Sequence, residues 1–285
     1  MAAPVLAAAR PRQWTKNLLL FAGLVFAAKL GDFGRWADAV AIFLAYCAAS
    51  SAAYLVNDVR DVEADRSHPS KRLRPVASGA LAPRRALALA GALAGVALAI
   101  AAAIGLWTVI FLLGFLALQA AYTHGLKHIA LVDVLAISGL FVLRAAAGAE
   151  AVDVRISPWL LVCTALLALF LALGKRRGEL VLVGAHETPG RRVLESYSVV
   201  LVDRLVALVA GATVITYALY TLTARDSKAL MVTIPFVVFG LVRYLLLLHR
   251  SDVGEEPEHV LLTDVPILVT VAAWAATCAL LLAVD

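Results

Sequence analysis

Between an apolar run from Ala37 to Val56 and a basic stretch that begins at Lys71, the chain reads Asn57-Asp58-Val59-Arg60-Asp61-Val62-Glu63-Ala64-Asp65. Continued as helix, Asp58, Asp61 and Asp65 stand at i, i+3 and i+7 and project from one face. Asn57, Asp61 and Asp65, spaced by four, lie along the edge of that face. Hard oxygen ligands in such a row suit Mg²⁺, which keeps several waters and binds through carboxylates together with substrate phosphates. Just downstream, Lys71, Arg72 and Arg74 offer cations for the phosphate oxygens that a metal leaves free. A solvated loop between membrane helices is the plainer alternative, but it gives no reason for three aspartates and an asparagine to align at helical spacing. The pattern predicts a metal–diphosphate site, with Asp58, Asp61 and Asp65 as catalytic carboxylates and Asn57 as a fourth ligand.

The elements that must position these residues are hydrocarbon-like. Of 285 residues 62% are hydrophobic and 16% charged, and the mean hydropathy is +0.89, which excludes an ordinary soluble domain. Nine apolar segments are read, at roughly 17–31, 36–56, 86–104, 106–123, 130–149, 158–174, 205–223, 229–249 and 264–284. Each is near the ~20 residues a helix needs to cross the bilayer core, the first and sixth being short. The expected fold is all-α: a polytopic membrane protein with nine transmembrane helices around a central cavity open to the cytoplasmic side. The whole chain, 1–285, is read as one integral membrane domain, with no room for a soluble one. Arg10-Pro11-Arg12-Gln13-Trp14 reads as an interfacial lead-in and not as a cleavable signal.

Most of the 25 Lys and Arg fall in alternate inter-span segments, which places the N-terminus and the Asp-rich segment in the cytoplasm of a cell membrane. The net charge of +5 then reflects topology and anionic substrates, and no nucleic-acid partner is indicated. Cys47, Cys163 and Cys278 sit within spans without paired spacing, which suggests neither a zinc site nor a disulfide framework. Trp14, Trp36, Trp159 and Trp274 are read as interface anchors. Two intramembrane cations remain: exposing one to lipid costs ~2.5–3.5 kcal/mol on insertion scales. Arg243 is expected to reach a substrate chamber, whereas Arg144 fits a structural pair or a functional role equally well. His68, His124 and His128 hold loop positions and are assigned to interfacial solvation, and Ser196, Tyr197 and Asp203 stay undecided. Two long polar segments, 57–85 and 175–204, each follow an even-numbered span and suggest a coarse duplication of layout. Nothing in the sequence opposes a homo-oligomer.

Asn57-Asp58-x-x-Asp61-x-x-x-Asp65 after the second of nine spans resembles the UbiA superfamily of intramembrane prenyltransferases, and Tyr122-Thr123-His124-Gly125-Leu126-Lys127 resembles that family's Tyr-x-x-x-x-Lys element. Arg12-Gln13-Trp14-Thr15-Lys16-Asn17, Gly174-Lys175-Arg176, Leu194-Glu195-Ser196-Tyr197, Arg243-Tyr244 and Glu255-Glu256-Pro257-Glu258 together are similar to decaprenyl-phosphate phosphoribosyltransferases. The resemblance runs from about residue 10 to the end. It implies a Mg²⁺-dependent transfer of 5-phosphoribosyl from phosphoribosyl diphosphate to a polyprenyl phosphate in the membrane bilayer, releasing diphosphate for a cell-wall or glycolipid precursor route.

Superfamily members typically carry a second Asp-rich motif after the sixth span; here Lys175-Arg176-Arg177 stands in its place. A donor with an additional 5-phosphate and an acceptor that is itself a phosphate call for fixed cations more than for a second carboxylate cluster. The cations are otherwise explained as headgroup anchors. Lys71, Arg72 and Arg74 are assigned to the diphosphate, with Lys127 and Tyr122 assisting, and Lys16, Lys175 and Arg176 to the 5-phosphate or the lipid phosphate. Two other readings compete: prenyl transfer from a prenyl diphosphate to an aromatic or other small acceptor, which an acidic second motif would favour, and a transporter or lipid-binding membrane protein, which would place its polar site near the midplane.

Overall fold

The structure, a computed structural model, describes residues 2–26, 32–67, 71–186, 192–223, 227–250 and 263–284. His68 and the Glu255-Glu256-Pro257-Glu258 segment lie outside the described residues. Among the described residues eleven α-helices run in the order α1 Ala2–Ala9, α2 Ala22–Phe26, α3 Phe33–Arg60, α4 Val62–Ser67, α5 Pro83–Ile104, α6 Leu106–His124, α7 Val132–Ala151, α8 Pro158–His186, α9 Val199–Thr223, α10 Ile234–Leu248 and α11 Val265–Val284. No strand occurs among the described residues. Among the described residues seven segments are long and apolar enough to cross a membrane, one of them Ala229–Leu248, which joins a 3-10 turn to α10, and Val265–Leu281 is a shorter apolar helix.

The chain divides into two compact units. The first comprises Met1–His124 with Leu143–Ile156, the second Gly125–Val142 with Ser157–Asp285. In the first, α3 is capped by Asp32, whose Oδ1 accepts from the backbone N–H groups of Gly34 and Arg35, satisfying donors that a helix start leaves open. Its buried face is rich in small residues, Ala45, Ala49 and Ala52 among them, and α5 answers with Ala86, Ala90, Ala97 and Ala101. Small side chains let two membrane helices approach closely, where packing replaces the hydrophobic effect as the source of association.

The first apolar segment departs from the expected helix. Pro11–Phe21 forms a 3-10 helix, followed by the five-residue α2. A Cβ at Gly148 would stand 2.1 Å from the Leu20 carbonyl oxygen, and one at Gly23 would stand 2.7 Å from Ala149 Cα. Backbone therefore packs on backbone here, and the tighter winding, unusual over this length, is held by that contact.

In the second unit, α8 and α9 pack along their lengths around Phe170, Leu173, Val202, Val206 and Val209, with Leu241, Tyr244 and Leu248 of α10. Helix α8 runs well beyond residue 174, so Lys175-Arg176-Arg177, expected at the start of a loop, lie inside a helix. Trp274, expected as an interface anchor, donates from Nε1 to the Tyr217 hydroxyl at 2.8 Å. Trp14 similarly donates to Ser51 Oγ at 3.1 Å.

Candidate active site

Helix α3 breaks at Asp61, whose φ and ψ of −89° and 11° leave the helical region, and α4 resumes at once. The Asp61 N–H still donates to the Asn57 carbonyl and the Asp65 N–H to that of Asp61, so the helical register passes through the break. Asp58 and Asp65 are both buried and both meet Arg74, whose Nη1 lies 2.7 Å from Asp65 Oδ2 and 3.4 Å from Asp58 Oδ1. Arg10, in a left-handed conformation with φ 52° between α1 and the 3-10 helix, also pairs with Asp58 Oδ1. Its guanidinium carbon lies 4.9 Å from the Tyr54 ring centre. Asp61 and Asn57 are half-buried beside this cluster in sequence.

The other oxygen of Asp58, Oδ2, is buried and has no hydrogen-bond partner among the described residues. Leaving a carboxylate oxygen unsatisfied is costly, and a cation supplied with the substrate would satisfy it. Among the described residues no three Asp, Glu, His or Cys side chains converge on one point. Mg²⁺ does not need three, because it commonly binds one or two carboxylates with waters and phosphate oxygens. The residues fit a diphosphate-bound Mg²⁺, with Asp58 and Asp65 already gathered and arginines holding their charge.

The other expected residues of the first unit are placed as follows. Lys71 is half-buried and Arg72 exposed on the 3-10 turn Lys71–Leu73. Lys16 is half-buried on the first 3-10 helix and Tyr122 half-buried near the end of α6. Arg144 has a structural tie: its Nε donates to Asn17 Oδ1 at 2.8 Å and its guanidinium carbon stands 4.6 Å from the Phe115 ring centre. That bond links α7 to the helix that carries Lys16.

The second unit contains a buried charge network that sequence reasoning reached only in part. Arg176, 1% exposed, donates from Nε to Asp133 Oδ2 at 2.6 Å and pairs through Nη1 with Glu179. Asp133 Oδ1 accepts from the Tyr197 hydroxyl at 2.7 Å. Asp133 went unread because it looks like an incidental charge at the mouth of a span; the available signal was a lone carboxylate inside Leu131-Val132-Asp133-Val134. Arg177 is engaged too, with Asp203 at 2.5 Å and the Leu248 carbonyl at 2.7 Å, where a cation caps the end of α10. Gly174 is required by Tyr244, since a Cβ there would meet the hydroxyl at 2.8 Å. Arg243 pairs with Asp264 at 2.9 Å. Arg243 donates hydrogen bonds to the Asp264 carboxyl and, against a smaller effect of burial, holds its pKa below the ordinary value. Lys175 and Lys127 are both half-buried.

Comparison with known proteins gives a consistent result. The model of the UbiA prenyltransferase family matches residues 18–263. The chain is 38% identical over 286 residues to a decaprenyl-phosphate phosphoribosyltransferase of Mycolicibacterium smegmatis, covering 95% of this chain and 89% of that one. It is 36% identical to the protein of the same name from Corynebacterium glutamicum, covering 94% and 83%. In fold it is similar to a UbiA homolog from Archaeoglobus fulgidus solved with GPP and Mg²⁺, with a TM-score of 0.75, 19% identity and coverage of 99% and 100%.

Proposed function

The chain belongs to the UbiA prenyltransferase family, and from that membership we propose that it transfers the 5-phosphoribosyl group of phosphoribosyl diphosphate to a polyprenyl phosphate of decaprenyl type, releasing diphosphate. The observation that carries this reading is the likeness, along nearly the whole chain, to two decaprenyl-phosphate phosphoribosyltransferases. In the basic run Lys175-Arg176-Arg177 both arginines pair with carboxylates, so the support from that run rests on Lys175, since an enzyme handling two further phosphate groups has a use for fixed cations.

In this mechanism Asp58 and Asp65, with Asn57 and Asp61 beside them, would hold the cation that accompanies the diphosphate. Mg²⁺, when bound there, would neutralise charge on the leaving diphosphate. Arg74, and Lys71 and Arg72 on the adjoining turn, take diphosphate oxygens, with Tyr122 and Lys127 assisting. The bond from ribose C1 to the diphosphate oxygen breaks as a lipid phosphate oxygen attacks C1 from the opposite face. That nucleophile is anionic at neutral pH, so no protein base is needed and catalysis is positioning plus electrostatic stabilisation. Lys16 and Lys175 are assigned to the 5-phosphate or the lipid phosphate. Arg176 is paired with Asp133 and Glu179, and Arg243 with Asp264, which leaves each arginine less charge to offer a phosphate, so their part is to position the helices that carry them.

Nine membrane passes around a cavity open to the cytoplasm, with the N-terminus on that side of the cell membrane, belong to the same proposal. The concentration of Lys and Arg in alternate segments supports that orientation. The test is product analysis with donor and acceptor varied separately. Consumption of phosphoribosyl diphosphate only when a polyprenyl phosphate is present supports the reading, and consumption of a prenyl diphosphate with an aromatic acceptor overturns it.

A further inference from the structure

We propose that Asp133 and Tyr197 are positioning residues of the transfer reaction, fixing the segments that carry Lys127 and Lys175 so that these cations meet substrate phosphate. The inference rests on the phosphoribosyl-transfer reading and adds to it two residues that contact no substrate themselves.

Three segments of the second unit meet at one fully buried carboxylate. Asp133 opens α7 and is 0% exposed. Its Oδ2 takes the Arg176 Nε of α8 at 2.6 Å, and its Oδ1 takes the hydroxyl of Tyr197, which follows the 3-10 turn Arg192–Ser196. An ionised carboxylate only accepts, so Tyr197 must donate to it and keep its lone pairs for another donor. That donor is the Leu131 backbone N–H, at 2.7 Å from the same hydroxyl. Burial, together with the bond to Asp133, pushes the Tyr197 pKa up to about 12, which keeps the hydroxyl protonated and both bonds in place.

Leu131 is where this arrangement matters for the substrates. Its φ of 67° is left-handed, a strained conformation for a residue with a branched side chain, which persists only where surroundings enforce it. Leu131 closes the turn from the 3-10 helix Leu126–His128, which carries Lys127, into α7. At the other end of the network Arg176 adjoins Lys175 on α8. A hydrophobic trio of similar shape would pack here with less desolvation cost. The polar trio of Asp133, Arg176 and Tyr197 adds direction: each group has one geometry that satisfies its partners, and the two lysines inherit it.

The test uses the full-length protein in detergent or nanodiscs, comparing Tyr197→Phe, Asp133→Asn and Asp133→Glu with wild type. The readouts are kcat, the KM for phosphoribosyl diphosphate, the KM for polyprenyl phosphate and the thermal midpoint. Tyr197→Phe removes one oxygen, takes from Asp133 Oδ1 and the Leu131 N–H that partner, and should lower the midpoint while raising one of the two KM values about tenfold, with kcat little changed. Lys127→Ala should add less in the Tyr197→Phe background than in wild type, because coupled residues are not additive. Unchanged KM values beside a lowered midpoint overturn the inference, as does full additivity with Lys127→Ala. Tyr197→Phe alone decides the matter if Asp133→Asn fails to fold. A wild-type protein that makes no phosphoribosyl lipid overturns the activity and this inference together. An active wild type beside a kinetically unaltered Tyr197→Phe overturns the inference only.

Discussion

Arg74 donates from Nη1 to Asp65 Oδ2 at 2.7 Å, which ties the far end of the Asp-rich motif to the basic stretch nine residues on. The same nitrogen is 3.4 Å from Asp58 Oδ1. One guanidinium therefore gathers two buried carboxylates that helical spacing alone would only align. It holds negative charge that a metal–diphosphate would otherwise balance. Removing it by Arg74→Ala should cost about 1.5–3 kcal/mol, the range for hydrogen bonds to charged groups, seen as a lower thermal midpoint in metal-free buffer, and added Mg²⁺ with phosphoribosyl diphosphate should recover part of that loss.

Asp58→Asn and Asp61→Asn should each abolish turnover while the protein still folds. Calorimetry should show the Mg²⁺-dependent part of phosphoribosyl diphosphate binding lost in the same variants. Activity within a few-fold of wild type at saturating Mg²⁺ would remove these residues from the metal site.

Lys175 and Arg176 are neighbours with different surroundings, and their substitutions should behave differently. Lys175→Ala should raise the KM of one anionic substrate on the order of ten- to a hundredfold, the equivalent of losing one charge-assisted phosphate contact. Arg176→Ala leaves the buried Asp133 and Glu179 uncompensated and should cost about 3–5 kcal/mol of stability. Thermal unfolding and steady-state kinetics on both variants distinguish the two cases; equal stability losses would count against the separation.

Asp264 gives a pH signature. Its carboxyl accepts from Arg243 and from the Ile267 N–H, and its pKa lies below the ordinary 3.8. A depressed carboxylate stabilises the fold fully above the unfolded value and loses that contribution as pH falls through the folded value. The difference in thermal midpoint between wild type and Asp264→Asn should hold steady from neutral pH down to about pH 5 and close in more acidic buffer. A difference that widens in acid would contradict the pairing.

The helical face of Asp58, Asp61 and Asp65 was legible because a 3.6-residue period is a local property, and a one-residue break at Asp61 does not disturb it. The extent of α8 was not. Lys175-Arg176-Arg177 looks like the end of a span until Asp133 and Asp203, 43 and 26 residues from the arginines they meet, are known to be their partners. Local sequence cannot report partners so far away. The winding of the first segment depended in the same way on Gly148, whose missing side chain admits Leu20. Three of the motifs that carried the resemblance come together within the second unit: Tyr197 reaches Arg176 through Asp133, and Gly174 makes room for Tyr244.

The most direct measurement supplies the purified protein with Mg²⁺, phosphoribosyl diphosphate labelled in the ribose, and a panel of polyprenyl phosphates, and identifies the products by mass. A polyprenyl-phosphoryl-5-phosphoribose formed in step with diphosphate, and abolished by Asp58→Asn, is the predicted result. A prenylated aromatic compound formed from geranyl or farnesyl diphosphate and 4-hydroxybenzoate, with no phosphoribosyl lipid from any acceptor, would contradict it.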